Sequence, residues 1–237
     1  MDSKHLLILG AKGTIGSALA SHYQQQGWQL TLACRQSSEH PLASQAQMIE
    51  WDALSEDWSE LSEQLAVNFP SHILYCVGSL HGAQLKVEKS IQQLEPQAMM
   101  HSFALNTLAF ARLAALVRTL ISRKQWLHLG VMSAKVGSIS DNQLGGWYSY
   151  RASKAALNMI IKSLAVELSR LNPDNRVLAI HPGTTVGPLT QPFASNIDPN
   201  KYYSPELSAS RIANILQQAL NYQSGDFINW DGELLPY

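Results

Sequence analysis

Tyr150 and Lys154 stand four residues apart in Tyr148-Ser149-Tyr150-Arg151-Ala152-Ser153-Lys154-Ala155-Ala156-Leu157-Asn158. On a helix that spacing turns both side chains to one face. A free phenol ionises near pH ~10, and an ammonium beside it stabilises the phenolate, bringing it toward the range in which a general acid or base works. Taken alone, a Tyr-x-x-x-Lys pair is also a common surface or packing pair. A second group, Gly10-Ala11-Lys12-Gly13-Thr14-Ile15-Gly16, follows an apolar run and opens a helical pattern. Glycines there let backbone N–H groups approach a pyrophosphate at the positive end of a helix. The spacing is G-x-x-G-x-x-G, which differs from the commoner G-x-G-x-x-G, and a tight strand-to-helix turn without a ligand is the alternative.

Two more positions bear on a nucleotide. The second apolar run ends Leu32-Ala33-Cys34-Arg35, so a cation stands where an acidic residue would grip a free ribose 2'-hydroxyl. A guanidinium suits a 2'-phosphate, and Lys12 offers a second positive charge, which favours NADP over NAD; solvated surface charges are the alternative. Asp52 follows the third run and suits either an adenine edge or a helix N-cap before Leu54-Ser55-Glu56.

These residues need elements to hold them. Apolar runs at His5–Leu9, Gln29–Cys34, Gln47–Trp51, His72–Val77, Trp126–Met132, Arg176–His181 and Asp226–Trp230 read as seven strands. Helical periodicity occupies Ile15–Gln26, Leu54–Val67, Gln97–Ile121, Tyr148–Arg170 and Pro205–Tyr222. Alternation of the two kinds implies crossovers, hence a doubly wound α/β domain of Rossmann type over residues 1–237, a seven-stranded parallel sheet with helices on both faces. Ligands of such sheets bind beyond the carboxyl ends of the strands, so Gly10, Arg35, Asp52, Gly78, Ser133 and Pro182 are expected to converge on one crevice.

The 237 residues are 46% hydrophobic and 15% charged with a net charge of −1, giving no electrostatic pull toward nucleic acid or anionic lipid. Cys34 and Cys76 each lie inside an apolar run, as buried free thiols of a reducing compartment would, and no metal-ligand spacing stands out. The run after Met-Asp-Ser-Lys-His is too short for a signal peptide and far below the ~20 residues of a membrane span, so a cytoplasmic protein is expected.

Tyr150-x-x-x-Lys154, the glycine loop, Asn106 in Ala104-Leu105-Asn106-Thr107 and His181-Pro182-Gly183 together resemble the short-chain dehydrogenase/reductases, across nearly the whole chain. Within that family, Val136 to Asn142, Gly145 to Lys154 and the ending Trp230-Asp231-Gly232-Glu233-Leu234-Leu235-Pro236-Tyr237 are similar to the C-factor and Sniffer-like carbonyl reductase branch. The resemblance implies that Tyr150 exchanges a proton with a carbonyl or alcohol oxygen while hydride moves to or from a nicotinamide. It implies that Lys154 holds the nicotinamide ribose and lowers the tyrosine pKa, and that Asn106 anchors a water in a relay to Lys154; bending or packing of its helix is the other role open to Asn106. Pro182 and Gly183 would approach the carboxamide, with Thr184 or Thr185 as side-chain contacts. Such proteins commonly form dimers or tetramers, for which Gln97–Ile121 and Tyr148–Arg170 are candidate surfaces.

The chain departs from the family pattern at one chemical position. The oxygen-orienting serine is the second serine of Ser-Ser-x-x-Gly, and the stretch here is Ser133-Ala134-Lys135-Val136-Gly137, which puts Ala134 there. Ser133 or Ser138 could compensate; adjacent strand residues face opposite ways, so Ser133 serves only if the strand has ended or twisted. The Asn-Asn-Ala-Gly turn of the family is Tyr75-Cys76-Val77-Gly78, keeping the glycine alone. Two functions compete: a reductase of aldehydes or ketones using NADPH, and a non-catalytic NAD(P)-binding regulatory or signalling protein, to which Ala134 lends weight. Leu144, Trp147, Phe193 and the Pro192–Tyr203 segment are expected to wall the substrate pocket, which suits an apolar or aromatic carbonyl, or else to form lid or interface core.

Overall fold

The computed structural model describes residues 4–82 and 85–237. In chain order its elements are β1 (His5–Leu9), α1 (Thr14–Gln25), β2 (Gln29–Cys34), β3 (Gln47–Glu50), α2 (Ser59–Val67), β4 (His72–Tyr75), α3 (Pro96–Phe103), α4 (Ala109–Leu120), β5 (His128–Met132), α5 (Tyr148–Leu171), β6 (Arg176–His181), β7 (Thr184–Thr185), β8 (Tyr202–Tyr203), α6 (Pro205–Gln217) and β9 (Phe227–Asn229). Seven strands form one sheet in the order β3-β2-β1-β4-β5-β6-β9, and every pairing is parallel. This is the expected doubly wound α/β architecture.

Strands buried on both faces must be apolar throughout, and β1 is. Its alternate residues divide between two cores. Leu6 and Ile8 pack with Leu19 and Tyr23 of α1 and Ile212 and Leu216 of α6, while Leu7 and Leu9 share the opposite core with Leu61 of α2, Phe110 of α4 and Ile161 of α5. The strand order reverses between β1 and β4, and the crevice that opens there carries the site.

The helix expected over Leu54–Val67 begins only at Ser59. Asp52 Oδ1 accepts the Leu54 N–H at 2.9 Å, Ser55 Oγ accepts the Asp57 N–H at 3.1 Å, and Asp57 Oδ1 accepts the Ser59 N–H at 2.9 Å. These local bonds give the backbone an alternative to helix, so Asp52 caps a turn and not a helix. The long helix expected over Gln97–Ile121 is likewise divided, since residues Ala104–Leu108 between α3 and α4 make one π turn. Pro96–Leu120 is long and apolar enough to cross a membrane, yet Phe110, Leu113 and Val117 are spent on the core beneath the sheet.

At the opposite end of the sheet, Trp28, His72, Trp126 and His128 pack in edge-to-face and tilted contacts with ring centroids 4.7 to 5.3 Å apart. Burial, and then mutual repulsion with His128, pushes His72 down to about 3; burial and the nearby Arg176 push His128 down to about 4. Both are neutral in the folded chain and titrate near 6.5 when it unfolds. The unfolded state therefore binds more protons below that value, and the stability present above it is lost as pH falls toward 4 and then 3. Urea midpoints should drop steadily from about pH 7 to about pH 5, with a shallower slope in His72→Gln/His128→Gln; equal slopes in parent and variant would contradict this assignment.

Candidate active site

A cleft of about 970 Å³ runs over the ends of β1, β2 and β3, lined by Gly10, Lys12, Gly13, Arg35, Asp52 and Gly78. It meets an inner cavity of about 360 Å³ that takes in Ile15, Ser133, Tyr150, Lys154, Pro182 and Gly183. Cys76, Val77 and Gly78 belong to both walls, so the strand-end residues named from sequence form one continuous crevice.

The outer cleft fits a dinucleotide. Gly10 has φ +80°, and a Cβ on Gly16 would strike the Gly10 carbonyl, so the loop keeps its tight approach only with glycine at both positions. Gly13 N donates to Gly10 O at 3.0 Å, and α1 begins at the next residue, Thr14. Arg35 is exposed, and among the described residues it has no side-chain partner. Lys12, expected as a second free cation, is instead ion-paired with Glu39 and lies 3.1 Å from Gln36 Oε1. Gln36 adopts the left-handed conformation with φ 52°, which carries the chain around to bring Glu39 back over the glycine loop.

In the inner cavity, Tyr150 and Lys154 share a face of α5 as their spacing requires. Tyr150 is 9% exposed, and its hydroxyl has no hydrogen bond to any described residue. Lys154 Nζ donates to Met132 O at 3.0 Å and lies 5.9 Å from the centre of the Tyr150 ring. Burial dominates both groups: it pushes the phenol upward and brings the ammonium down to about 8. The lowering of the phenol by Lys154 expected from sequence is thus overridden by the cost of placing a phenolate in a poorly solvated wall.

Asn106 sits in the π turn, fully buried. Its Oδ1 accepts the Ser79 N–H at 2.8 Å; its Nδ2 donates to Ser79 O at 2.9 Å and to Ser153 Oγ at 3.2 Å. The amide therefore ties the loop after β4 to the helix that carries Tyr150. A Cβ on Gly78 would lie 3.2 Å from both Asn106 Oδ1 and Lys154 Nζ, so a side chain there would crowd both groups.

Glu88, which no motif or periodicity singled out, anchors the start of α5. Its carbonyl accepts the Trp147 N–H at 2.6 Å, and its carboxylate accepts from the Ser149 hydroxyl and, at 3.4 Å, from the Ser149 N–H. An acceptor at a helix N-terminus satisfies free N–H groups and suits the positive end of the helix dipole. With Glu88 only 3% exposed, Glu88→Ala should cost about 1–2 kcal/mol in urea unfolding, and an unchanged midpoint would rule the cap out.

Ser133, Ser138, Thr185 and Leu144 are placed otherwise than expected. Ser133 Oγ donates to Asn158 Oδ1 at 2.5 Å, so its proton is turned into the protein and away from the cavity. Ser138 is 2% exposed and accepts the Asp141 N–H at 3.1 Å in a turn, outside the cavity wall. Thr185 bonds Ser208 Oγ at 2.8 Å and secures α6, leaving Thr184 to line the cavity. Trp147 and Phe193 do form an outer wall, with rings 5.1 Å apart, and Ile197 joins them; Leu144 is 91% exposed and takes no part. His181, noted in the sequence only beside Pro182 and Gly183, also lines this cavity.

Comparison with known proteins agrees with this fold. The family model for short chain dehydrogenases matches residues 4–198. A 1-hydroxy-2-glutathionyl-2-methyl-3-butene dehydrogenase of Rhodococcus is 27% identical, covering 98% of this chain and 99% of the relative. The carbonyl reductase Sniffer of D. melanogaster superposes with a TM-score of 0.83 at 22% identity over 99% of each chain. A short-chain dehydrogenase/reductase from Burkholderia multivorans with bound NADP has a TM-score of 0.82 at 21% identity, covering 98% of this chain and 99% of that one. With the family model matching most of its length and the parallel sheet ordered β3-β2-β1-β4-β5-β6-β9, the chain belongs to the short chain dehydrogenases.

Proposed function

We propose that this chain is an NADPH-dependent reductase of aldehydes or ketones with Tyr150 as the proton donor. The observation that carries the reading is the unpartnered Tyr150 hydroxyl, on the wall of a cavity continuous with the glycine-lined cleft. A reduced nicotinamide held in the crevice would supply hydride, a proton with its two electrons, for the carbonyl carbon. Tyr150 gives its proton to the oxygen, completing the alcohol. Burial keeps the phenol protonated at neutral pH, the form that reduction needs. Lys154 and the Pro182–Gly183 turn would hold the nicotinamide half, the glycine loop the pyrophosphate, and Arg35 a 2'-phosphate. The NADP bound to the Burkholderia relative supports the phosphorylated cofactor.

Leu80, Trp147, Phe193 and Ile197 give the cavity an apolar wall, which favours an apolar or aromatic carbonyl. Exposed Met100, Leu108, Met159 and Val166 on α3 to α5 favour a dimer or tetramer through those helices, and the free Cys34 and Cys76 favour a reducing, cytoplasmic setting. Ala134 favours a second reading, a cofactor-binding regulatory protein. NADPH oxidation followed with a panel of aromatic and aliphatic aldehydes and ketones separates the two. Turnover is expected; tight NADPH binding with no turnover on any carbonyl would overturn the reductase reading.

A further inference from the structure

We propose that His181 donates the second hydrogen bond to the reacting oxygen, beside the one from Tyr150, in place of the hydroxyl that Ala134 lacks. The inference rests on the carbonyl-reductase reading. As hydride reaches the carbon, negative charge grows on an oxygen with two lone pairs, and Tyr150 meets only one of them. Most polar groups of the cavity are committed elsewhere. Ser133 donates to Asn158, Lys154 to Met132 O, and Thr190 Oγ1 to Thr185 O at 2.6 Å; Lys135 Nζ is paired with Asp141 at 3.3 Å. Of the remaining donors, Trp147 packs against Phe193 in the outer wall, and Thr184 lies beyond the Pro182–Gly183 turn in β7.

His181 is placed differently. It ends β6, whose register with β5 pairs Met132 with Ile180, and Ser133 N donates to Ile180 O at 2.8 Å. The next residues along the two strands are Ser133 and His181, and both line the cavity together with Ala134 and Tyr150. Its Nδ1 is buried without a partner, and Nε2 has no protein partner among the described residues. Both nitrogens being uncommitted, the tautomer is free to place its proton on the nitrogen that meets the ligand. Burial, followed by the charge of Lys135, brings the ring down to about 4 against the opposing pull of Asp231 and Asp141, so at neutral pH it is an uncharged donor. A neutral imidazole adds a hydrogen bond without placing a cation beside the site of a positively charged oxidised nicotinamide.

The test measures kcat, KM and the NADPH dissociation constant for aromatic aldehyde reduction in four proteins: the parent, His181→Leu, His181→Gln and His181→Leu/Ala134→Ser. His181→Leu keeps bulk and removes the donor, and His181→Phe replaces it should the leucine variant fail to fold. Expected are a fall in kcat of about 10²-fold in the donorless variant with NADPH binding unchanged, a smaller fall in the glutamine variant, and substantial recovery when Ala134→Ser restores a hydroxyl. A donorless variant as fast as the parent would sink the inference and leave the reductase standing. So would a slow donorless variant that neither glutamine nor Ala134→Ser improves, because that pattern belongs to a packing role. A parent that reduces no carbonyl overturns the reductase reading and this inference with it.

Discussion

Tyr150→Phe is expected to lower kcat for carbonyl reduction by about 10²- to 10⁴-fold and to leave the NADPH dissociation constant unchanged. The substitution deletes one oxygen and its proton while keeping the ring that packs in T-shaped contact with Trp147 at 6.5 Å. The hydroxyl holds no hydrogen bond to any described residue, so its removal orphans none of them and costs little stability. A fall in activity then reports lost proton donation and not a disturbed site. Single-turnover oxidation of NADPH with an aromatic aldehyde, beside fluorescence titration of NADPH, measures the two quantities separately. A Tyr150→Phe protein that turns over at the parent rate would show that protonation comes from another group. One that has lost NADPH affinity would make Tyr150 a binding residue first.

Arg35→Ala should weaken NADPH binding by about 10- to 150-fold with little effect on NADH, since a charge-assisted contact contributes about 1.5–3 kcal/mol. The expectation follows from the contrast between the two cations at the rim. Among the described residues Arg35 is uncommitted, whereas Lys12 is neutralised by Glu39, so the guanidinium is the group that can meet a phosphate without first breaking a bond. Glu39→Gln tests the other half of the argument: it frees Lys12, and NADPH should bind more tightly while NADH changes little. Because the rim is solvent-exposed, both effects should shrink as salt rises. Equal losses for NADPH and NADH in Arg35→Ala would mean that the arginine touches no 2'-phosphate.

The sequence by itself determined the layers, the seven strands of the main sheet and the chemistry-bearing face of α5, whereas the short β7–β8 pair appears only in the fold. These follow from short-range rules: apolar runs with turn residues between them, and a four-residue spacing that every α-helix turns to one side. The glycine loop was legible for the same reason, as a backbone that must bend tightly before α1. Tertiary structure alone decided which polar groups are free to react. Lys12 was drawn to Glu39, Ser133 to Asn158 and Thr185 to Ser208 by neighbours 27, 25 and 23 residues away. Glu88 reached Ser149 across 61 residues. Spacing cannot reveal such partners, because a hydrogen bond depends on where two distant strands or loops come to rest. The same holds for ionisation: their spacing sets Tyr150 and Lys154 one helical turn apart, but their pKa values are set by how little water the folded wall admits.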